Sequence, residues 1–284
     1  MADAEQINAD QLAFWNGAGG RTWVERQAHT DVTLSGVMDA LVARAAPRAG
    51  EHVLDIGCGC GAATLDLARA VAPGGRVDAL DISGPMLEEA RRRAQAAGIG
   101  NVDWRQADAA SAQLAPFDLL VSAFGVMFFG DPVAAFAHMG AAARPDARLA
   151  FVCWRTLGEN PWMDVPLQAA FRHVPPRPRP SPGAPGMFAF AEADHIARVL
   201  TGAGWSEPVI DRLDLDLDIA AGLGLDQAVD QSTRIGMVNG ALRGQSEQDA
   251  AAAVAAIRED LAAHADGDAV RLPAAMWLVS TAPA

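Results

Sequence analysis

Three glycines at alternate positions, Gly57, Gly59 and Gly61, follow the apolar run Val53-Leu54-Asp55-Ile56. Backbone without side chains lets a ligand lie directly on the main chain. Asp55 stands two residues before the first glycine, and Asp81 follows 26 residues further on, at the end of a second apolar run. A carboxylate at that point accepts hydrogen bonds from both hydroxyls of a ribose. Asp108 holds a third position of the same kind. An acidic side chain beside a buried apolar strand is costly without a partner, so Asp55 and Asp81 read as ligand-binding residues. The chemistry they suit is capture of a nucleoside by bare backbone and carboxylates.

Those residues act together only if a scaffold brings them to one edge. Compact apolar runs at 53–56, 76–80, 102–106, 117–122 and 148–154 read as strands. Helical stretches at 62–71, 85–98 and from Asp131-Pro132 to about 143 separate them. This alternation predicts βαβ units, a parallel sheet and helices on both faces. In such a sheet ligands sit at the carboxyl ends of the strands, near the switch in strand order. Two short helical pieces broken at Gly17–Gly20, and a helix over 32–46, precede the first strand. Residues 161–185 carry eight of the 17 prolines. That density of fixed φ angles and missing donors predicts a long surface excursion without a regular interior element. A helix is expected over 191–203, helices at 225–240 and 247–264, and a last strand over 270–280. Residues 209–219 alternate leucine with aspartate and read as an edge strand, whose acidic stripe (Asp211, Asp214, Asp216, Asp218) is its solvated face.

The GxGxG spacing, with an aspartate two residues ahead, resembles motif I of the class I S-adenosylmethionine-dependent methyltransferases. LDIS (Leu80 to Ser83) resembles the second motif, ADAAS (Ala107 to Ser111) the adenine-side motif, and FDLLVSAFGVMFFGDP (Phe117 to Pro132) the fourth-strand motif. The resemblance is strong over about residues 50–154 and continues as GAGW and WLVS toward the C-terminus. It implies a Rossmann-like, seven-stranded, mostly parallel sheet with an antiparallel last strand, helices on both faces, and helical and loop lid insertions. It implies S-adenosyl-L-methionine as cofactor and a small, apolar or aromatic methyl acceptor. Gly57, Gly59 and Gly61 would pass beneath the cofactor, with Cys58 and Met86 beside it. Asp55 would lie near its amino group and Asp81 would hold the ribose, with Ile82 at the adenine. Asp108 would accept from the adenine amino group and Ala109 would add a backbone contact. Ser122 would lie near the methionine part. Trp15, Arg21 and Trp23 would close over the cofactor, Arg21 pairing with its carboxylate. The expected organisation is an N-terminal helical lid over 1–46 and a methyltransferase domain over 47–284, with cap insertions at about 155–190 and 220–265.

The rest of the composition narrows the field. The chain has 284 residues, a net charge of −13 and no tyrosine, and all 22 of its basic residues are arginine. Chemistry that requires lysine, such as a P-loop lysine or a Schiff base, is excluded. The negative field disfavours a nucleic-acid partner. No apolar run is long enough to span a bilayer, and the acidic, polar N-terminus is no secretory signal, so the cytoplasm is the expected location. Cys58, Cys60 and Cys153 form no disulfide framework, and no metal site is expected. His29 and His173 are the candidate general bases, and His138 reads as structural. Trp162, Met163, Phe171, Met187, Phe188 and Phe190 are candidates to line an acceptor pocket. Two other readings stay open: a nicotinamide-dependent oxidoreductase, against which the glycine spacing and the missing Tyr–Lys pair argue, and a non-catalytic cofactor-binding protein. The oligomeric state is left open.

Overall fold

The computed structural model describes residues 4–177, 183–234 and 236–284. Its centre is a sheet built on β1 (His52–Ile56), β2 (Arg76–Asp81), β3 (Val102–Gln106), β4 (Phe117–Ala123) and β5 (Ala143–Trp154). The strand order is β3-β2-β1-β4-β5-β8-β6, where β6 is Val209–Asp218 and β8 is Ala269–Thr281; a short β7 (Ala265–Asp266) pairs with β8. Strands β1 to β5 pair in parallel, and β8 is antiparallel to both β5 and β6. The seven strands expected are present, with β7 added. The antiparallel strand lies inside the sheet and β6 forms the edge.

Burial explains why these runs became strands. All five residues of β1 are buried, and β2 and β4 are nearly so, as strands covered on both faces must be. The chain moves outward from β1 through α4 (Ala62–Ala70) to β2 and through α5 (Gly84–Ala96) to β3. It then returns to β4 on the far side of β1 and proceeds through α6 (Pro132–Gly140) to β5. Right-handed crossovers place α4 and α5 on one face and α6 on the other. The point where this direction reverses lies between β1 and β4, and it opens a crevice at their carboxyl ends.

Helix starts follow capping chemistry. The Ser83 hydroxyl accepts from Met86 N–H at the head of α5, and Asp131 accepts from Ala134 N–H at the head of α6, each followed by proline in the first turn. Ser246 caps α11 (Glu247–Ala262) in the same way. Three helices precede the sheet: α1 (Ala4–Asn16), α2 (Ala18–Thr33) and α3 (Ser35–Ala45). The break between the first two falls at Gly17, as expected.

Three expectations are corrected. The proline-rich excursion holds a regular helix, α7 (Pro161–Phe171). Pro161 occupies its first turn, where the missing N–H costs nothing. Pro166 sits inside the helix, on a buried face with Met163, Leu167, Ala169 and Ala170 that packs on α11 and β8. Apolar burial there offsets the one backbone bond lost. Prolines 178, 180 and 182 of that excursion lie outside the described residues. Strand β5 begins earlier than expected, because Ala143 already pairs with Phe117; the register then jumps so that Leu119 pairs with Arg148, and Pro145 falls in the bulge. Of the stretch expected as helix over 225–240, α9 (Leu225–Arg234) and α10 (Gly236–Leu242) are helical, Gly236 at φ +69, and residue 235 lies outside the described residues. Between α7 and β6 lies α8 (Ala193–Gly202). The acidic stripe of β6 is not merely solvated: Asp211 pairs with Arg44, Asp214 with Arg155, and Asp218 accepts from the Ala220 and Val270 N–H groups.

Among the described residues no helix is long and apolar enough to cross a membrane.

Candidate functional site

A cavity of about 390 Å³ opens at the carboxyl ends of β1, β2 and β4, with α1 and α2 on its other side. Of the residues expected from sequence, Trp15, Trp23, Asp55, Gly57, Cys58, Gly59, Asp81, Ile82, Met86, Asp108 and Ala109 line it. They come from the ends of β1, β2 and β3 and from α1, α2 and α5, brought to one place by the switch in strand order.

The glycines divide by purpose. A Cβ on Gly57 would come within 2.7 Å of the Gly125 Cα, so this glycine lets the β1 and β4 loops touch. A Cβ on Gly61 would come within 2.9 Å of the Trp104 ring, and Gly61 does not line the cavity; it seats α4 against its neighbours. Gly59, at φ +53, is different. Its nearest neighbour would be the Met86 sulfur at 3.8 Å, so bare backbone faces open space. Of the three glycines expected beneath a ligand, Gly57 and Gly59 line the cavity, and Gly59 is the one where a Cβ would meet nothing closer than 3.8 Å.

Asp55 and Asp81 are buried, Asp108 is half-buried, and each is held. Asp81 accepts from Gly59 N–H on one oxygen and from Ser83 N–H on the other, both at 2.8 Å. Burial raises its carboxyl above the ordinary range, against those two donors. Asp55, 1% exposed, accepts from the Thr64 hydroxyl at 2.5 Å. Burial pushes its carboxyl up to about 7, and the nearby Asp81 adds to the rise. Asp108 accepts from Ala110 N–H at 2.9 Å and from the Asn8 amide at 3.3 Å. Burial likewise raises the thiols of Cys58, well above its usual value, and Cys60, up to about 12, so both are neutral filler in the loop.

Helices α1 and α2 are fastened over this floor. The Asn16 amide donates to the Ile82 carbonyl at 2.8 Å and accepts from Gly84 N–H at 3.0 Å. The Ser83 hydroxyl donates to the Trp15 carbonyl at 2.7 Å. Asp31, on the cavity wall, pairs with Arg93 of α5, and Arg93 also donates to the Cys60 carbonyl at 2.5 Å. Trp15 meets Trp23 and Phe128 edge-to-face.

Several expected residues lie elsewhere. Arg21 is exposed and is not part of the lining. Ser122 is fully buried behind it: its hydroxyl donates to the Ile56 carbonyl at 2.7 Å and accepts from Gly125 N–H at 3.1 Å, tying the β1 and β4 loops together. His29 is buried between α2 and the end of β6, its Nε2 on the Ile219 carbonyl at 2.9 Å, and burial lowers its pKa. His173 is exposed after α7. Neither histidine lines the cavity. His138 bonds the Ala112 carbonyl at 2.8 Å, as a structural residue does. None of Trp162, Met163, Phe171, Met187, Phe188 and Phe190 lines the cavity; they pack into the body around α7, α8 and β5. Among the described residues, nothing beyond Phe129 contributes to the lining. The apolar wall comes instead from Leu34, Met38, Phe124, Phe128 and Phe129.

Sequence reasoning missed Asn8, Asp31 and Phe124. Phe124 stood inside the quoted fourth-strand motif and was the nearest to legible. Asn8 and Asp31 had no signal, because their partners are 100 and 62 residues away.

The cavity suits the cofactor that the resemblance implies. Two buried carboxylates retain unused lone pairs, a condition that a cationic amino acid and a pair of ribose hydroxyls would relieve. Bare backbone at Gly59 lies between them. Among the described residues no cluster of His, Cys, Asp or Glu is placed to hold a metal.

Comparison with known proteins agrees. The sequence model of the methyltransferase domain family matches residues 53–146, a stretch that contains Asp55, the glycine loop, Asp81 and Asp108. Aklanonic acid methyltransferase DauC of Streptomyces sp. (strain C5) is 34% identical over 170 residues, which are 56% of this chain and 77% of that protein. Nocamycin O-methyltransferase of Saccharothrix syringae is 35% identical over 105 residues, 36% of this chain and 38% of that protein. Among solved structures, a Haemonchus contortus phosphoethanolamine N-methyltransferase 2, in complex with phosphomonomethylethanolamine and S-adenosylhomocysteine, aligns with a TM-score of 0.52 at 17% identity. That alignment covers 88% of this chain and 53% of the other, and at such identity the likeness is one of fold.

Proposed function

The chain belongs to the class I S-adenosylmethionine-dependent methyltransferases, and from that premise we propose that it methylates an oxygen of a small, largely apolar acceptor. The observation that carries the cofactor assignment is Asp81. Each of its oxygens is fixed by one backbone N–H, so the carboxylate is aimed into the cavity with acceptor capacity on both sides. That arrangement matches two adjacent ribose hydroxyls. Asp108 and Ala109 would hold the adenine, Gly59 the backbone-facing side, and Asp55 with Asp31 the positively charged end.

When bound, the cofactor supplies a methyl group already activated on a sulfonium. The chain's own part is alignment and exclusion of water. Trp15 and Trp23 enclose the cavity from the α1–α2 side, Trp15 meeting Phe128 of the turn after β4, and we assign residues 1–46 as its lid. The acceptor reading rests on the apolar wall and on the names of two relatives, which act on small molecules, one of them at oxygen.

Titration calorimetry with S-adenosylmethionine and S-adenosylhomocysteine tests this. Micromolar binding to the wild type is expected, and Asp81→Ala should weaken it at least about tenfold, the loss of one to two hydrogen bonds to a charged group. Absence of binding to the wild type would overturn the proposal.

A further inference from the structure

Phe124 is the apolar residue at the seam between the cofactor loop and the aromatic wall. It follows β4 directly and lines the cavity. Its backbone is left-handed, at φ +63 and ψ −3. A bulky residue in that region is an outlier, held only where its surroundings over-determine it. Here they do. Phe124 N–H donates to the Val152 carbonyl at 3.0 Å, and the next residue, Gly125, abuts Gly57 while its N–H is bound by Ser122.

The consequence lies in the ring. Phe124 stacks on Trp154 with centroids 4.4 Å apart and planes 12° from parallel. Trp154, 4% exposed, is backed in turn by Trp162 at 5.0 Å. The Trp162 indole N–H donates to Asn160, a fully buried side chain that also bonds both backbone groups of Ala275. One face of Phe124 is therefore closed by a rigid aromatic column rooted in the sheet. Trp154 and Trp162 do not line the cavity; Phe124 does. The open side of its ring is what a bound molecule meets.

We propose that Phe124 is the acceptor-specificity residue, a fixed aromatic platform that favours a flat ring over an aliphatic skeleton of the same size. The inference rests on the methyltransferase reading, since the platform is useful only beside the cofactor loop. A face that is already stacked and immobile loses no rotamer freedom when a second ring settles on it. Ring-on-ring contact adds about 0.5–1.5 kcal/mol beyond area burial, or roughly two- to twelvefold in affinity.

The test uses the full chain saturated with S-adenosylhomocysteine and two neutral probes of matched skeleton, 2-naphthol and 2-decalol, each titrated by calorimetry. The wild type is expected to prefer 2-naphthol about two- to twelvefold. Phe124→Leu should abolish that preference while S-adenosylhomocysteine binds as before. Phe124→Gly should do the same and relieves the left-handed backbone, so a folding defect in the leucine variant does not decide the matter. Phe124→Trp should retain the preference. Equal binding of the two probes by the wild type, no binding of 2-naphthol, or a preference that survives in the leucine or glycine variant overturns the proposal. Failure of S-adenosylhomocysteine to bind the wild type is a separate result, and sinks the methyltransferase reading itself.

Discussion

Asp55 is held by one donor, the Thr64 hydroxyl, in surroundings that burial makes hostile to charge, and its carboxyl is pushed up to about 7. In the unfolded chain the same group titrates near 4. Between those values the folded state holds a proton that the unfolded state has released. This group's contribution to stability is therefore greatest in acid and falls as pH rises from about 4 through about 7, then stays at its lower level. Asp55→Asn keeps an acceptor for Thr64 and removes the titration. Thermal melts at pH 5 and pH 8 should show the variant losing less stability than wild type over that interval, and gaining on the order of 1 kcal/mol at pH 8. Parallel slopes for the two proteins would show the argument wrong. The same shift has a counterpart in binding. A cationic ligand favours the carboxylate, so affinity for S-adenosylmethionine should rise with pH up to about 7, with protons released on binding. In Asp55→Asn the affinity should be lower and less dependent on pH. Calorimetry in buffers of different ionisation enthalpy measures that proton count directly. At this scale Asp55, Asp81 and Asp108 were legible, because a carboxylate at a strand end beside glycines has few structural uses. Ser122 and Gly61 were legible as important but not in role: one is an internal tie and the other a packing contact, and spacing alone does not separate those from ligand contact.

At the scale of elements, α1 is fixed to the strand ends by few but specific bonds. Asn16 alone joins it to Ile82, Gly84 and the Gln106 side chain. Among the described side chains of α1 none is buried, and Leu12 and Phe14 are exposed large hydrophobics. An element held by a few polar ties with little burial opens at low free-energy cost. Asn16→Ala should accordingly leave the melting temperature nearly unchanged. It should speed dissociation of S-adenosylhomocysteine about three- to tenfold, the worth of one or two hydrogen bonds, with a smaller change in association. Stopped-flow fluorescence of Trp15 and Trp23 reads both rates, and an effect confined to association would contradict the lid assignment. The elements themselves show what pattern carries and what it hides. Strands buried on both faces and helices with caps announce themselves. Helix α7 did not, because counting prolines ignores position: Pro161 stands where a helix tolerates it, and Pro166 is kept by the burial around it.

At the scale of the whole molecule, the alternation of strands and helices over 52–154 made the sheet and its cavity edge readable, since local order and the handedness of crossovers leave few alternatives. The attachment of the C-terminal third was not readable, because it depends on contacts between distant segments. Helix α2 carries those contacts. Arg26 pairs with Asp230 and bonds Gln231 at 3.0 Å, His29 bonds the Ile219 carbonyl, and Thr33 donates to the Asp218 carbonyl at 3.1 Å. The same helix presents Trp23, Thr30 and Asp31 to the cavity. No residue of α9 lines the cavity, yet the Arg26–Asp230 pair joins it to a helix that does. A ligand that steadies α2 must therefore slow the opening of α9, if the two move together. Amide hydrogen exchange tests it. Adding S-adenosylhomocysteine should slow exchange across Leu225–Arg234 in the wild type, and Arg26→Ala should remove that response while α2 itself is still protected. The Arg26 side chain is 10% exposed and that of Asp230 35%, so the pair is partly withdrawn from solvent and less screened than a fully exposed bridge. Protection of α9 that persists in the variant, or that is missing in the wild type, would mean the two helices are neighbours without being coupled.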